Sequence, residues 1–207
     1  MLIKKMLKAA ALLTFFAVLG GGLVAFSFQI THKQIIANER AALLRTLNVL
    51  IAREQYDNDL FTDTRQMQNE AVLGTIEPIT IYRARFCEQP VAAILTQVAP
   101  DAYNGRIRLL VGINYDGSLV GVRVLSHQET PGLGNQIEMR RSNWILSFNG
   151  HSLKNPDKAG WKVKRDGGIF DQFTGATITP RAVVKAVYKS LQFYQQYRDE
   201  VFAENQN

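Results

Sequence analysis

One ten-residue stretch sets hydroxyls around a turn of small residues: Asp171-Gln172-Phe173-Thr174-Gly175-Ala176-Thr177-Ile178-Thr179-Pro180. Thr179 before Pro180 reads as a helix start. A Thr side chain can cap, and Pro fits the first turn, where its missing N–H does no harm. Thr177 then places a hydroxyl at the mouth of that helix. Free N–H groups and the positive end of the helix dipole make such a mouth a natural phosphate site. Local chemistry leaves two readings: an ordinary capped junction, or an anchor on Thr177 for a phosphate-linked group.

A second stretch, His127-Gln128-Glu129-Thr130-Pro131-Gly132-Leu133-Gly134, is rich in Pro and Gly and reads first as a turn. Its two glycines would also let a flat or phosphate-bearing ligand approach the backbone, and binding residues favour loops. Trp144-Ile145-Leu146-Ser147-Phe148 is apolar and aromatic; it reads as core, with Trp144 the residue that could instead meet a ligand.

The elements that must position these residues follow from periodicity. Ile107–Ile113 and Leu119–Leu125 are β-branched-rich runs flanking Tyr115-Asp116-Gly117-Ser118, a strong hairpin signal. Glu77–Phe86 and Val91–Val98 predict two further strands, the latter closed by Pro100-Asp101, and Trp161–Lys164 predicts another, ended by Asp166-Gly167-Gly168. Ile137–Trp144 predicts a short helix or turn carrying Arg140 and Arg141, and Tyr56-Asp57-Asn58-Asp59 a turn. From Pro180 to about Phe202 a helix repeats Val183, Val184, Val187, Leu191 and Tyr194 on a core face, with Lys185, Lys189 and Arg198 solvated.

Ala9–Phe28 is uncharged and nearly all apolar, long enough to cross a hydrocarbon core of ~30 Å. Lysines precede it, so the N-terminus should stay cytoplasmic and the rest be exported, into the periplasm of a Gram-negative cell. The run is longer than a signal-peptide core of ~7–15 residues and no clear small-x-small cleavage site follows, which favours an uncleaved anchor. Gly20-Gly21-Gly22 would allow close packing with a partner helix or simply loosen this one. Thr31 to about Ala52 reads as a membrane-proximal helix.

The 207 residues leave room for one folded domain besides that anchor. Lys4, Lys5 and Lys8 supply half of the net charge of +6, which does not argue for nucleic acid. Cys87 is the only cysteine, so no intrachain disulfide or paired-thiolate metal site can form, and it reads as a small half-buried side chain. The three histidines lack metal-ligand spacing, and no protein-bound metal is expected. A Walker loop, a dinucleotide Gly-x-Gly-x-x-Gly, His-Glu-x-x-His, Cys-x-x-Cys and Gly-x-Ser-x-Gly are all missing. No complete active site is expected in this chain alone.

Asp171 followed by Thr174-Gly175-Ala176-Thr177 resembles the acceptor motif of the covalent FMN-binding family, in which a periplasmic flavin transferase joins FMN by its phosphate to the last Thr. The His127–Gly134 octet resembles that family's second signature. With Tyr56–Leu60, Tyr103-Asn104-Gly105 and Trp144–Phe148, the likeness extends over essentially the whole chain to the G subunits of Rnf (Rsx) electron transport complexes. The resemblance implies an α+β protein: a stub and anchor over 1–30, a membrane-proximal helical segment over 31–75, and an FMN-binding domain over 76–207 with antiparallel strands and a C-terminal helix. It implies covalent FMN on Thr177, with Thr174, Gly175, Ala176, Asp171, Glu129, Thr130, Leu133, Gly134 and Trp144 as cofactor contacts. Asp171 would be read by the transferase or position the turn. The implied partners are the other subunits of an inner-membrane complex that moves electrons between ferredoxin and NAD, couples them to cation transport and, in enteric-type bacteria, keeps the regulator SoxR reduced. The alternatives are the C subunit of the sodium-pumping NADH:quinone oxidoreductase, a stand-alone periplasmic FMN module with a regulatory role, and an anchored interaction protein without flavin.

Overall fold

The computed structural model describes residues 2–204. The chain divides into two compact units, one ending at Arg45 and the other beginning at Thr46. Helix α1, Leu2–Leu50, runs through that boundary, so the predicted anchor and membrane-proximal helix lie on one continuous element. No proline interrupts it, and its stretch from Ile3 is long and apolar enough to cross a membrane.

The second unit is built on a five-stranded antiparallel meander: β1 Thr64–Met67, β2 Ile79–Phe86, β3 Gln89–Ala102, β4 Gly105–Asn114 and β5 Leu119–Ser126. A single-turn helix, α2 Glu70–Leu73, lies between β1 and β2. Helix α3, Ile178–Phe202, covers one face of the sheet. Its predicted stripe, Val183, Val184, Val187, Leu191 and Tyr194, is buried with Ile79, Ile81, Leu95, Leu109 and Val111 from the strands. Residues of opposite parity, including Ala84, Ala92, Ile94 and Leu110, are buried on the other face. Both sides of the central strands are therefore covered, which explains why β3 and β4 read as apolar runs rather than clean alternation.

Three expectations are corrected. β3 does not stop at Pro100 but continues to Ala102, with a register irregularity between Ala99 and Ala102 that accommodates the proline. Trp161–Lys164 is not a strand: only Val163 pairs, in an isolated bridge to Phe170. The chain there is too tightly folded for a ladder, and a methyl on Gly168 would lie 2.0 Å from the Lys162 carbonyl oxygen. Cys87 is exposed rather than half-buried, because it sits with Glu88 at positive φ in the tight β2–β3 turn.

Candidate functional site

The β3–β4 turn, the loop after β5, the Lys164–Asp166 turn and the first turn of α3 converge on a cleft of about 610 Å³. Its lining includes Glu129, Thr130, Leu133 and Gly134 from one predicted stretch and Gly175, Ala176 and Thr177 from the other. Residues more than forty positions apart are thus brought to one wall. Tyr103, Arg165, Ile178, Thr179 and Arg181 complete it.

Thr177 occupies the N-cap position of α3 at φ −76°, ψ −26°, half-buried and without a side-chain cap hydrogen bond. The predicted cap, Thr179, does not cap. The helix begins earlier, at Ile178, and the fully buried Thr179 hydroxyl donates to the Glu129 carboxylate instead. Before Thr177, Phe173-Thr174-Gly175-Ala176 closes a turn in which the Ala176 N–H donates to the Phe173 carbonyl at 3.1 Å. Gly175 takes φ +78° there, a backbone conformation that side-chain-bearing residues rarely adopt. The Thr130–Asn135 loop braces itself: the Leu133 N–H donates to the Thr130 carbonyl at 3.1 Å, and the Gly132 N–H to Asn135 Oδ1 at 2.9 Å.

Thr174, Asp171 and Trp144 are not among the cleft-lining residues. Thr174 is exposed on the turn. Asp171 pairs with Lys164 at 2.6 Å, and its carbonyl accepts the Trp144 indole N–H at 2.8 Å. Trp144 packs edge-on against Phe148 and Phe173, with Phe170 and Trp161 extending the cluster. Through Phe173 and the Asp171 carbonyl, that aromatic cluster contacts the loop leading to Thr177. Arg165 and Arg181 carry no signal in the sequence that singles them out. Four-residue spacing does put Arg181 on the helix face of Thr177, but basic residues are too common for that to select it.

The cleft carries charge of both signs: Arg165 and Arg181 line it, and so does the buried carboxylate of Glu129. Arg181 makes two bonds of 2.6 Å to Asp166, which hold that carboxyl below its usual range and the guanidinium charged. Arg165 makes no side-chain hydrogen bond or ion pair among the described residues. Behind the loop, His127 Nδ1 accepts the Glu129 N–H at 3.0 Å, and Nε2 contacts Glu138 at 2.6 Å. Arg140, and after it His127, bring Glu138 down to about 2 against the opposition of burial. A carboxylate depressed in the folded state contributes stability above its ordinary 4.5, lost as pH falls towards about 2. The stability gap between wild type and Glu138→Gln in thermal melts should therefore close between about pH 4.5 and pH 2. A gap independent of pH would refute the linkage.

Residues 102–192, a span that holds every residue lining this cleft, match the FMN-binding domain family, so the domain is of the flavin-binding class. Residues 1–50 match the RnfG N-terminal region. The chain is 46% identical over 202 residues to the G subunit of the ion-translocating oxidoreductase complex of Shewanella oneidensis, covering 98% of this chain and 95% of that one. The corresponding G subunit of Vibrio cholerae is 46% identical over 194 residues, 94% and 92% of the two chains. That of Pseudoalteromonas atlantica is 44% identical over 196 residues, 95% and 91%. The chain belongs to the family of G subunits of ion-translocating oxidoreductase complexes.

The cleft fits FMN. Its volume lies within the ~300–1,000 Å³ common for small-molecule sites. Arg165 offers charge to a phosphate beside the Asp166-paired Arg181, while Tyr103, Leu133 and Ile178 are 68%, 42% and 45% exposed and offer apolar surface to a flat ring. A methyl on Gly175 would meet the Leu133 side chain at 3.4 Å, an ordinary contact, so the positive φ and not space is what calls for glycine there.

Proposed function

We propose that this chain is the flavin-bearing electron relay of a membrane-bound complex that moves electrons between ferredoxin and NAD and couples them to cation translocation. FMN is held as a phosphodiester on Thr177 Oγ, installed by a flavin transferase. The observation that carries this reading is the Thr177 hydroxyl: it stands at the N-cap of α3, uncommitted to capping, in a cleft lined by Arg165 and Arg181. When bound, FMN supplies the electron-accepting and electron-donating chemistry, and attachment through phosphate leaves its ring unmodified. The protein's residues place it, balance the phosphate charge and cover the apolar ring. A covalent link also keeps the flavin at high effective concentration outside the cytoplasm, where dilution would remove a dissociable one. The relay receives electrons from, and passes them to, other subunits of the complex, which in enteric-type bacteria also helps keep the regulator SoxR reduced.

Protein from transferase-containing cells should give a flavin-fluorescent band on denaturing electrophoresis. Its proteolytic peptide spanning Thr177 should carry the mass of FMN less one water. A non-fluorescent band of unmodified mass would defeat the proposal. For topology, lysines before the apolar run put the N-terminus in the cytoplasm and the flavin domain in the periplasm. A reporter fused after residue 207 should be active only outside the cytoplasm, and cytoplasmic activity would reverse the orientation.

A further inference from the structure

In the lining of the cleft, Glu129 carries a carboxylate in a residue only 5% exposed. The protein itself engages both oxygens. Oε1 accepts the Asn104 backbone N–H at 2.9 Å, and Oε2 accepts the Thr179 hydroxyl. Asn104 adds a second tie, its side-chain amide donating to the Gln128 carbonyl at 2.5 Å. Gly134 roofs the pair: a methyl there would lie 2.5 Å from Glu129 Oε2 and 2.9 Å from Thr179 Oγ1. One carboxylate therefore links the β3–β4 turn, which carries Tyr103, to the first turn of α3, which follows Thr177.

We infer that Glu129 is a positioning residue for Thr177, acting through Thr179, and that Gly134 exists to admit that contact. This rests on Thr177 as the attachment point. A residue at the N-cap ordinarily spends its side-chain oxygen on a helix N–H. Thr177 does not, and α3 has no acidic residue of its own in its first turn. The buried Glu129 charge supplies from another segment the negative group that a helix N-terminus favours. That charge answers the helix dipole and not an N–H, and the Thr177 hydroxyl, which makes no cap hydrogen bond, stays available for a phosphoryl link. The bond from Thr179 to Glu129 fixes the rotation of the first turn, and hence the direction in which Thr177 enters the cleft.

The test measures the rate of covalent flavin incorporation by in-gel fluorescence in transferase-containing cells, beside the thermal stability of each variant. Thr179→Val removes the hydroxyl at near-constant volume, and Gly134→Ala crowds the pair. Both should lower incorporation by roughly tenfold or more, the scale of a hydrogen bond to a charged group. Thr179→Ser keeps the hydroxyl and should remain near wild type. Ile94→Val, buried on the other sheet face, controls for destabilisation alone. Equal incorporation in wild type and Thr179→Val, or a loss in Ile94→Val matching that in Thr179→Val, would overturn the inference while leaving the Thr177 assignment intact. No label on wild type would overturn that assignment and the inference with it. A second measurement needs no flavin. In a Thr177→Ala background, Glu129→Ala and Thr179→Val should together destabilise the protein by less than the sum of their separate effects. Additive effects would show that the two side chains do not act as a unit.

Discussion

Thr177→Ala should abolish covalent flavin and leave a folded protein. The first half follows from chemistry: a phosphodiester needs an oxygen, and the substitution removes it. The second follows from the geometry of the N-cap. Replacing a capping Thr by Ala commonly costs ~1 kcal/mol because a helix N–H loses its acceptor. Here the side chain makes no cap hydrogen bond, and the residue is only half-buried, so no acceptor is lost. The variant should therefore melt within a few degrees of the flavin-free wild type while its fluorescent band disappears. Added FMN could still enter the cleft, but it should exchange out on dialysis. A fluorescent band that survives in Thr177→Ala would move the attachment to another residue. A protein that fails to fold would show that the hydroxyl is used in a way its hydrogen bonds do not reveal.

The fold is most legible in the sequence where backbone demands are strong. Asp116-Gly117 marks the β4–β5 hairpin, and the apolar stripe of α3 stands out because its period matches a helix. The site is legible as two motifs, but their meeting is not, since no local pattern says that Glu129 and Thr179 will share a hydrogen bond. The predicted cap fails for the same reason. Thr179 has the right chemistry for an N-cap, and a partner fifty residues away claims its hydroxyl. Strand β1 and helix α2 leave no periodic signal because each is only four residues long.

The Tyr56-Asp57-Asn58-Asp59 cluster shows a different kind of limit. It reads as a turn, and its residues do lie outside regular structure. Their work is to finish the sheet. β1 pairs with β2 only as far as Tyr82. Beyond that point Asn58 substitutes for a strand: its side chain accepts the Arg85 N–H and donates to the Arg83 carbonyl, both at 2.9 Å. Asp57 adds its own N–H to the Arg85 carbonyl at 2.9 Å and accepts the Cys87 N–H at 2.8 Å. An exposed edge would otherwise be left with unpaired polar groups. Composition announces a turn; only the sheet shows what the side chains are for.

That edge leads to the variant with the largest expected loss of stability, Asp63→Ala. Asp63 pairs with Arg83, whose side chain is 4% exposed, and with Arg85 at 2.8 Å. These arginines hold the far end of α3: Arg83 donates to the Ala203 carbonyl at 2.7 Å and Arg85 to that of Phe202 at 2.8 Å. Cations suit the negative end of a helix, so this clamp complements the carboxylate that serves its other end. Burial pushes the Arg83 guanidinium down from its ordinary value, and Asp63 is the principal group opposing that shift. Removing Asp63 takes away the carboxylate that offsets the burial of the Arg83 charge, and breaking a buried pair in this way typically costs about 3–5 kcal/mol. Asp63→Ala should therefore shift denaturant or thermal unfolding markedly. Replacing Asp63 and Arg83 together by apolar residues should recover much of the loss, since Arg83 no longer leaves a charge buried. If the single variant unfolds like wild type, Asp63 does not carry the clamp, and Arg83 and Arg85 hold the last carbonyls of α3 without it.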